Sequence, residues 1–253
     1  MKSKQPILQS ETTREVWEEA QKWEESHWIN AQRARAKFAK NWLWRGLSLF
    51  GFVPKHRGDD WNTWWKEQFD NYAFLPDEIG NVIEVGCGPY SNVRLMVDRC
   101  KMNHMVLSDP LIRTYVKFKL TFVRDMYEKA ACTLDDHPLE DLPFKDDNFD
   151  LAVMINVLDH VRDANACMEN FYRVVKPGGL VIFGQDLCRE EDSKALLEDA
   201  GLVGHPIKLH EDWFKPWIEQ CDPIIHKILP GEGGRDDKKH YATLIFAGRI
   251  KTR

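Results

Sequence analysis

Short apolar runs alternate with amphipathic segments from about residue 80 to the end of the chain. The apolar runs predict strands at 81–85, 104–108, 149–155, 180–184 and 241–247. The segments between them predict helices at 92–99, 111–129, 163–175 and 193–200. Continuous apolar strands are typical of parallel sheets that are buried on both faces. The alternation therefore predicts an α/β fold with a largely parallel sheet and helices on both sides.

The first 75 residues have a different character. Eight of the ten tryptophans lie before residue 66, and we predict a helical, Trp-rich cap at 1–75 and an α/β domain at 76–253. Within the cap, 32–53 is basic and then aromatic and apolar. A membrane-surface helix has this pattern, but we favour a cap helix that buries tryptophan and leucine and exposes lysine and arginine to water.

Composition narrows the class of protein. The net charge of −5 is spread over interspersed acids and bases, which predicts no nucleic-acid partner. The sequence shows no signal peptide and no membrane-length apolar run. Six scattered cysteines without a Cys-x-x-Cys pair favour free thiols in a reducing cytoplasm. No metal site is expected, because the later histidines lack a recognisable ligand spacing: His205, His210, His226 and His240.

A glycine turn follows the first strand of the α/β domain. Glu84 stands two residues before Gly86, and Gly88 follows at the alternate position. Glycine lets the backbone turn tightly and lets a ligand approach without a Cβ in the way. We expect Glu84 to accept hydrogen bonds from a ligand at this sheet edge. Asp109 ends the second strand, where a carboxylate can accept hydrogen bonds from both hydroxyls of a ribose. The alternative is that Asp109 caps the next helix.

This turn resembles the acid-x-Gly-x-Gly signature of class I S-adenosylmethionine-dependent methyltransferases. Four later segments match the same family in its order: Asp109, Glu140–Phe144 with Asp147–Asp150, Asn156–Val161 and Lys176–Gly179. The resemblance is to small-molecule bacterial enzymes of methyltransferase type 11 and covers residues 80–187 well. It implies a doubly wound, Rossmann-like sheet of seven strands, mainly parallel with an antiparallel last strand. It also implies S-adenosylmethionine as cofactor and an N-terminal lid.

The resemblance assigns residues to a cofactor site. Pro138 stands where many relatives have an adenine-binding aspartate, so that contact moves to its neighbours. Ile155 and Asn156 are implied near the methionine part of the cofactor. The full predicted set is Glu84, Gly86, Cys87, Gly88, Tyr90, Asp109, Pro110, Leu139, Glu140, Ile155 and Asn156.

The predicted reaction moves a methyl group to an oxygen or nitrogen of a small-molecule acceptor, such as a sugar or a natural-product intermediate. A base is needed only for a hydroxyl or a protonated amine. The main candidates are His160, Asp186 and His137, and further candidates in the later loops are His205, His210 and His240. His160 has a structural alternative, since it could pack or cap the following helix. Two alternative functions are an NAD-dependent oxidoreductase, disfavoured by Ser91 in place of a third glycine, and a non-catalytic scaffold. A homodimer contact through the cap is also open.

Overall fold

The structure is a computed structural model that describes residues 9–40, 60–119, 121–189, 203–231 and 240–252. The predicted helix at 193–200 and most of the basic, aromatic stretch at 32–53 lie outside those ranges. The described helices are α1 (Arg14–Lys40), α2 (Asp60–Gln68), α3 (Ile112–Tyr115), α4 (Phe122–Glu128), α5 (Ala164–Arg173) and α6 (Lys215–Ile218). None of these helices is both long enough and apolar enough to cross a membrane.

Seven strands form one sheet in the order β3-β2-β1-β4-β5-β7-β6. They are β1 (Glu78–Val85), β2 (Lys101–Ser108), β3 (Thr133–Asp135), β4 (Phe149–Ile155), β5 (Val175–Leu187), β6 (Cys221–Pro230) and β7 (Ala242–Ile250). The five strands from β3 to β5 pair in parallel, and β7 runs antiparallel to both β5 and β6. The predicted Rossmann-like sheet with an antiparallel last strand is confirmed.

The sheet separates two apolar clusters, because neighbouring strand residues point to opposite faces. Ile83 packs in the cluster that contains Met168 and Phe171 of α5. Val82 packs in the other, which contains Trp65 of α2 and Phe69, the residue that follows this helix. Trp65 and Phe69 are fully buried, so α2 belongs to the core of the α/β unit although the sequence pattern places it in the cap. The boundary at residue 75 stays a prediction.

The predicted helices around the sheet edge are shorter than the pattern suggests. Only 93–95 of the predicted helix at 92–99 is helical, as a 3-10 turn. The predicted helix at 111–129 is two helices, α3 and α4. Thr121 is extended, and its side chain accepts a hydrogen bond from Arg124 N, so a new helix begins after it. An N-cap of this kind stabilises a helix start within a longer periodic segment.

The N-terminal segment is tied to the carboxyl edge of the sheet by backbone hydrogen bonds. Gln9 and Lys208 exchange two of them, at 3.1 and 3.0 Å, and Thr12 N donates to Arg162 O at 2.7 Å. Further along, the ring of Trp23 fills the place where Gly204 has no Cβ. These contacts lay α1 across the end of the sheet where the glycine turn lies.

Candidate active site

The two glycines of the turn have left-handed backbone, with φ of +60° at Gly86 and +56° at Gly88. A Cβ on Gly86 would lie 2.5 Å from Cγ2 of Val157, so this glycine permits close packing between β1 and the segment after β4. A Cβ on Gly88 would meet nothing within 4 Å. Gly88 therefore presents bare backbone to open space, as a turn that admits a ligand should.

Glu84 differs from its prediction as a ligand contact. Its carboxylate is fully buried and accepts hydrogen bonds from Asn92 N at 2.7 Å, from Val93 N at 3.1 Å and from the hydroxyl of Ser91. Burial raises the pKa of Glu84, and these hydrogen bonds oppose the rise. Because both oxygens hold the loop that follows the turn, Glu84 shapes the site from beneath and is not among the residues that line the cavity.

A cavity of about 490 Å³ opens at the carboxyl edge of the sheet beneath α1. Apart from Glu84, every predicted site residue lines it: Gly86, Cys87, Gly88, Tyr90, Asp109, Pro110, His137, Leu139, Glu140, Ile155, Asn156, His160 and Asp186. The cavity is also lined by Trp17, Trp23 and Trp28 of the predicted Trp-rich lid and by two further base candidates, His205 and His240. Sequence reasoning missed other lining residues: Gln21, Glu24 and His27 of α1, together with Trp65, Asp159 and Lys208. The volume is within the range of small-ligand sites.

Asp109 joins the glycine turn to the next strand. Its Oδ2 accepts a hydrogen bond from Gly88 N at 3.0 Å, and its Oδ1 accepts one from Leu111 N at 2.8 Å. Burial raises the pKa of Asp109 to about 6. The carboxylate therefore holds the turn ahead of α3 and lines the cavity. It is not the predicted helix cap, because the N-cap of α3 is Leu111 and no side chain caps this helix.

Helix α1 closes over the turn through Tyr90. The Tyr90 hydroxyl accepts hydrogen bonds from Gln32 Nε2 at 2.6 Å and from Arg35 Nη1 at 2.7 Å. The ring of Trp28 meets the Tyr90 ring edge-on, with 5.7 Å between centroids. A second tie is made by the Thr114 hydroxyl, which donates to Glu25 Oε1 at 2.7 Å. The predicted lid position is thus occupied by α1.

Two of the three predicted bases already have partners. The Thr243 hydroxyl donates to Asp186 Oδ1 at 2.9 Å, and Asp186 N donates to Asn156 Oδ1 at 3.0 Å. His137 Nδ1 lies 2.7 Å from Asp135 Oδ1, and its side chain is half exposed. This hydrogen bond raises the pKa of His137. Asp186 and His137 both line the cavity, and each is hydrogen-bonded to a strand residue, Thr243 of β7 and Asp135 of β3.

The third predicted base, His160, belongs to a cluster with Asp159 and His205. His160 Nδ1 donates to Gly204 O at 2.7 Å, and His205 Nδ1 lies 2.7 Å from Asp159 Oδ2. Burial disfavours the charged His160, but Asp159 and Glu24 outweigh it and raise the His160 pKa. Burial and then His160 lower the pKa of His205. The two histidines are 45 positions apart in the sequence, and nothing in the sequence indicates that they meet.

Charge at the cavity favours a cationic ligand. Among the described residues that line it, five are acidic and one is a lysine: Glu24, Asp109, Glu140, Asp159 and Asp186 against Lys208. Asp159 stays ionised: burial would raise its pKa, but His160 and His205 hold that pKa well below its ordinary value. A positively charged ligand is stabilised by such a lining, because opposite charges attract more strongly where water is excluded.

Comparisons with known proteins agree with this geometry. Residues 83–183 match the family model described as "Methyltransferase domain". The curated thiol S-methyltransferase TMT1B of Mus musculus is 25% identical over 133 residues, which are 51% of this chain and 53% of the relative. The match thus spans about half the length of that relative.

Two solved structures show the same fold. The YcgJ protein of Bacillus subtilis has a TM-score of 0.57 and 14% identity, covering 75% of this chain and 99% of that one. Phosphoethanolamine N-methyltransferase 2 of Haemonchus contortus, solved with S-adenosylhomocysteine, has a TM-score of 0.55 and 11% identity, covering 78% and 53%. The matched segment begins inside β1, includes the glycine turn and Asp109, and ends inside β5. Residues 83–183 therefore match a methyltransferase domain, and the comparisons support the fold predicted from the resemblance to class I S-adenosylmethionine-dependent methyltransferases.

Proposed function

We propose that the chain transfers a methyl group from S-adenosylmethionine to an oxygen or nitrogen of a small-molecule acceptor, such as a sugar or a natural-product intermediate. The observation that carries the proposal is one cavity with two kinds of wall. The glycine turn and Asp109 form one wall, and the aromatic residues of α1 cover it. A methyl donor and its acceptor must share a single enclosed space, because the transfer is an in-line displacement between them.

The cofactor would lie along the glycine turn. The exposed backbone of Gly88 leaves room for close approach, and the ionised Asp109 would accept hydrogen bonds from the ribose hydroxyls. Leu139 and Glu140 stand beside Pro138 on the adenine side, and Ile155 and Asn156 end β4 on the methionine side. The acidic lining suits the positive sulfonium of this cofactor. Glu84 would act by positioning the turn.

The acceptor would lie between the cofactor and α1. Trp17, Trp23 and Trp28 supply large apolar walls with few rotatable bonds. A sulfonium methyl is already an activated electrophile, so the protein mainly has to align the nucleophile and exclude water. His160, Asp186 and His137 remain the proposed bases for an acceptor that must lose a proton.

Calorimetry and product analysis test this proposal. We expect saturable binding of S-adenosylmethionine with a free energy of about −8 kcal/mol, and no binding of NAD. Gly86→Val should abolish cofactor binding, because the side chain would enter the space of Val157 and strain the turn. A panel of hydroxyl and amine acceptors should then yield S-adenosylhomocysteine. Binding of NAD in preference to S-adenosylmethionine would contradict the proposal.

A thiol acceptor is a second candidate. It is favoured by the similarity to a thiol S-methyltransferase. A thiolate is a strong nucleophile, and a site that lowers the thiol pKa would be enough to activate it. The same product assay with alkyl and aryl thiols decides between the acceptor classes by the ratio of kcat/KM values.

A further inference from the structure

Asp159, His160 and His205 bring potential metal-ligand atoms into one place at the cavity. One ligand atom from each residue lies within 4.8 Å of the other two. Asp159 is buried, the two histidines are half-buried, and all three line the cavity. Two imidazoles and a carboxylate are a ligand set used for zinc in catalytic sites, where further coordination positions stay open.

The hydrogen bonds around His160 leave one ring nitrogen directed at this cluster. A backbone carbonyl only accepts, so the 2.7 Å contact with Gly204 O places the proton on Nδ1. In the neutral ring, Nε2 therefore carries the lone pair. Nε2 lies 3.8 Å from Asp159 Oδ2, beyond hydrogen-bond distance. Two ligands on one tetrahedral ion are roughly 3.4 Å apart, given metal–ligand bonds of about 2.1 Å, so this spacing leaves room for a shared ion.

The carboxylate is oriented by a second layer of contacts. Gln185 Nε2 donates to Asp159 Oδ1 at 3.0 Å, and Gln185 Oε1 accepts from Leu158 N at 3.0 Å. Oδ2 is thereby directed toward the histidines. Metal sites hold their ligands by outer hydrogen bonds of this kind, from a carbonyl to a histidine and from an amide to a carboxylate.

The electrostatic surroundings favour a cation on balance. Glu24 Oε2 is 4.0 Å from His160 Nδ1, and Asp109 and Asp186 line the same cavity. Lys208 opposes them, because its charge acts on His205. The proton shared by His205 Nδ1 and Asp159 Oδ2 now occupies part of the site. Metal binding through Nδ1 would move that proton to Nε2 of the same ring, because a neutral imidazole carries one proton and binds a metal through its other nitrogen.

We propose that Asp159, His160 and His205 bind a single divalent transition-metal ion of the zinc class at the wall of the cavity. Three protein ligands leave at least one position for water or for an acceptor heteroatom. The proposal departs from the expectation of no metal site. That expectation considered only the spacing of the histidines from His205 onward, whereas Asp159 and His160 lie in the segment after β4. It rests on the ligand geometry and is independent of methyl transfer.

Titration of the chelator-treated full chain with Zn²⁺ and Co²⁺ tests the proposal. Calorimetry should show one ion per chain, and bound Co²⁺ should give visible absorption bands of nitrogen and oxygen coordination. Asp159→Asn and His205→Gln should each weaken binding by about 100-fold or more. Gln185→Met, which removes the outer hydrogen bonds and keeps all three ligands, should weaken it by about 10- to 100-fold. His210→Gln is the matched control, since His210 pairs with Asp212 outside the cavity lining.

A second measurement covers the case in which a variant fails to fold. Zn²⁺ should raise the melting temperature of the wild-type chain, because an ion that binds only the folded state stabilises it. The proposal is overturned if the wild-type chain shows neither saturable binding nor a shifted melting temperature. It is also overturned if folded Asp159→Asn binds as tightly as wild type. Binding of S-adenosylmethionine without Zn²⁺ binding would reject the metal site and leave the methyltransferase function standing.

Discussion

At the residue scale, Gly86 and Gly88 place different demands on one turn. Both have positive φ, so alanine at either costs about 1–2 kcal/mol of backbone strain. Gly86→Ala also drives a Cβ into Val157, and we expect a total loss of about 2–4 kcal/mol in the free energy of unfolding. Gly88→Ala should reduce the free energy of unfolding only by the backbone strain. It should nevertheless weaken S-adenosylmethionine binding at least as much as Gly86→Ala does. Urea unfolding and calorimetry on both variants check this, and equal losses of stability would contradict it.

The raised pKa of Asp109 predicts a pH dependence of cofactor affinity. Above its pKa of about 6 the carboxylate is ionised and accepts hydrogen bonds from the ribose. Below it the group is protonated, so S-adenosylmethionine should bind about tenfold more weakly at pH 5 than at pH 7. Asp109→Asn should weaken binding by about 1–3 kcal/mol at pH 7 and should leave it nearly flat between pH 5 and 7. A wild-type affinity that is equally flat would exclude this role.

All predicted site residues but Glu84 line the cavity, because each motif stands at the end of a strand and all parallel strands end at the same edge. Glu84 shows where such reasoning fails. A buried carboxylate turns toward the nearest donors, which here are the backbone N–H groups of Asn92 and Val93. His205 shows another limit. Its partner Asp159 lies 46 residues earlier, and only the fold brings them to 2.7 Å.

At the element scale, α1 depends on a close approach to Gly204. The Trp23 ring occupies the place of the missing Cβ and lies beside the His205 ring, with 6.0 Å between centroids. Gly204→Ala should push α1 away from the cavity, raising amide exchange across 14–35 and lowering methyl transfer more than cofactor affinity. Trp23→Leu in the same chain should relieve the clash and restore slower exchange. Unchanged exchange in Gly204→Ala would show that α1 is not held at this point.

The elements also differ in how far their sequences predict them. The strands β1, β4 and β7 each contain an apolar run, and their predicted bounds agree with the structure to within a few residues. β3 has only three residues, and β6 carries two prolines and buries only Cys221 and Ile225, so neither has the pattern of a buried strand. The predicted helix at 111–129 failed because its periodicity continues across a break that Thr121 creates. Helix periodicity reports the apolar face and does not reveal where the backbone stops being helical.

At the scale of the whole molecule, the cap and the α/β unit share one core. The sequence divides them at residue 75, where the composition changes ahead of the first clear strand. Trp65, Phe69 and Tyr72 are nevertheless buried against the sheet, and a Cβ at Gly184 in β5 would strike the Trp65 ring. The division that the packing favours comes before Asp60, where α2 begins. Membrane contact through residues 32–53 stays the less favoured prediction, since most of that stretch lies outside the described ranges. A homodimer contact through the cap also stays open.

Two truncations distinguish a domain boundary before Asp60 from one after residue 75. The same two chains also test whether α1 acts as a lid. Removal of residues 1–59 should leave a folded chain that still binds S-adenosylmethionine, because the glycine turn, Asp109 and α2 remain. Methyl transfer should be lost, because α1 supplies the cover that holds the acceptor and excludes water.

Removal of residues 1–75 should instead unfold the chain. It deletes Trp65, Phe69, Tyr72 and Leu75 from the core, and each large buried side chain is worth about 3–5 kcal/mol, against a total stability of about 5–15 kcal/mol. Circular dichroism and calorimetry on both chains provide the test. Full transfer activity in the shorter deletion would refute the lid. Loss of liposome binding or of a dimer in that chain would assign residues 1–59 to a partner surface, because a lid acts within one chain and requires neither.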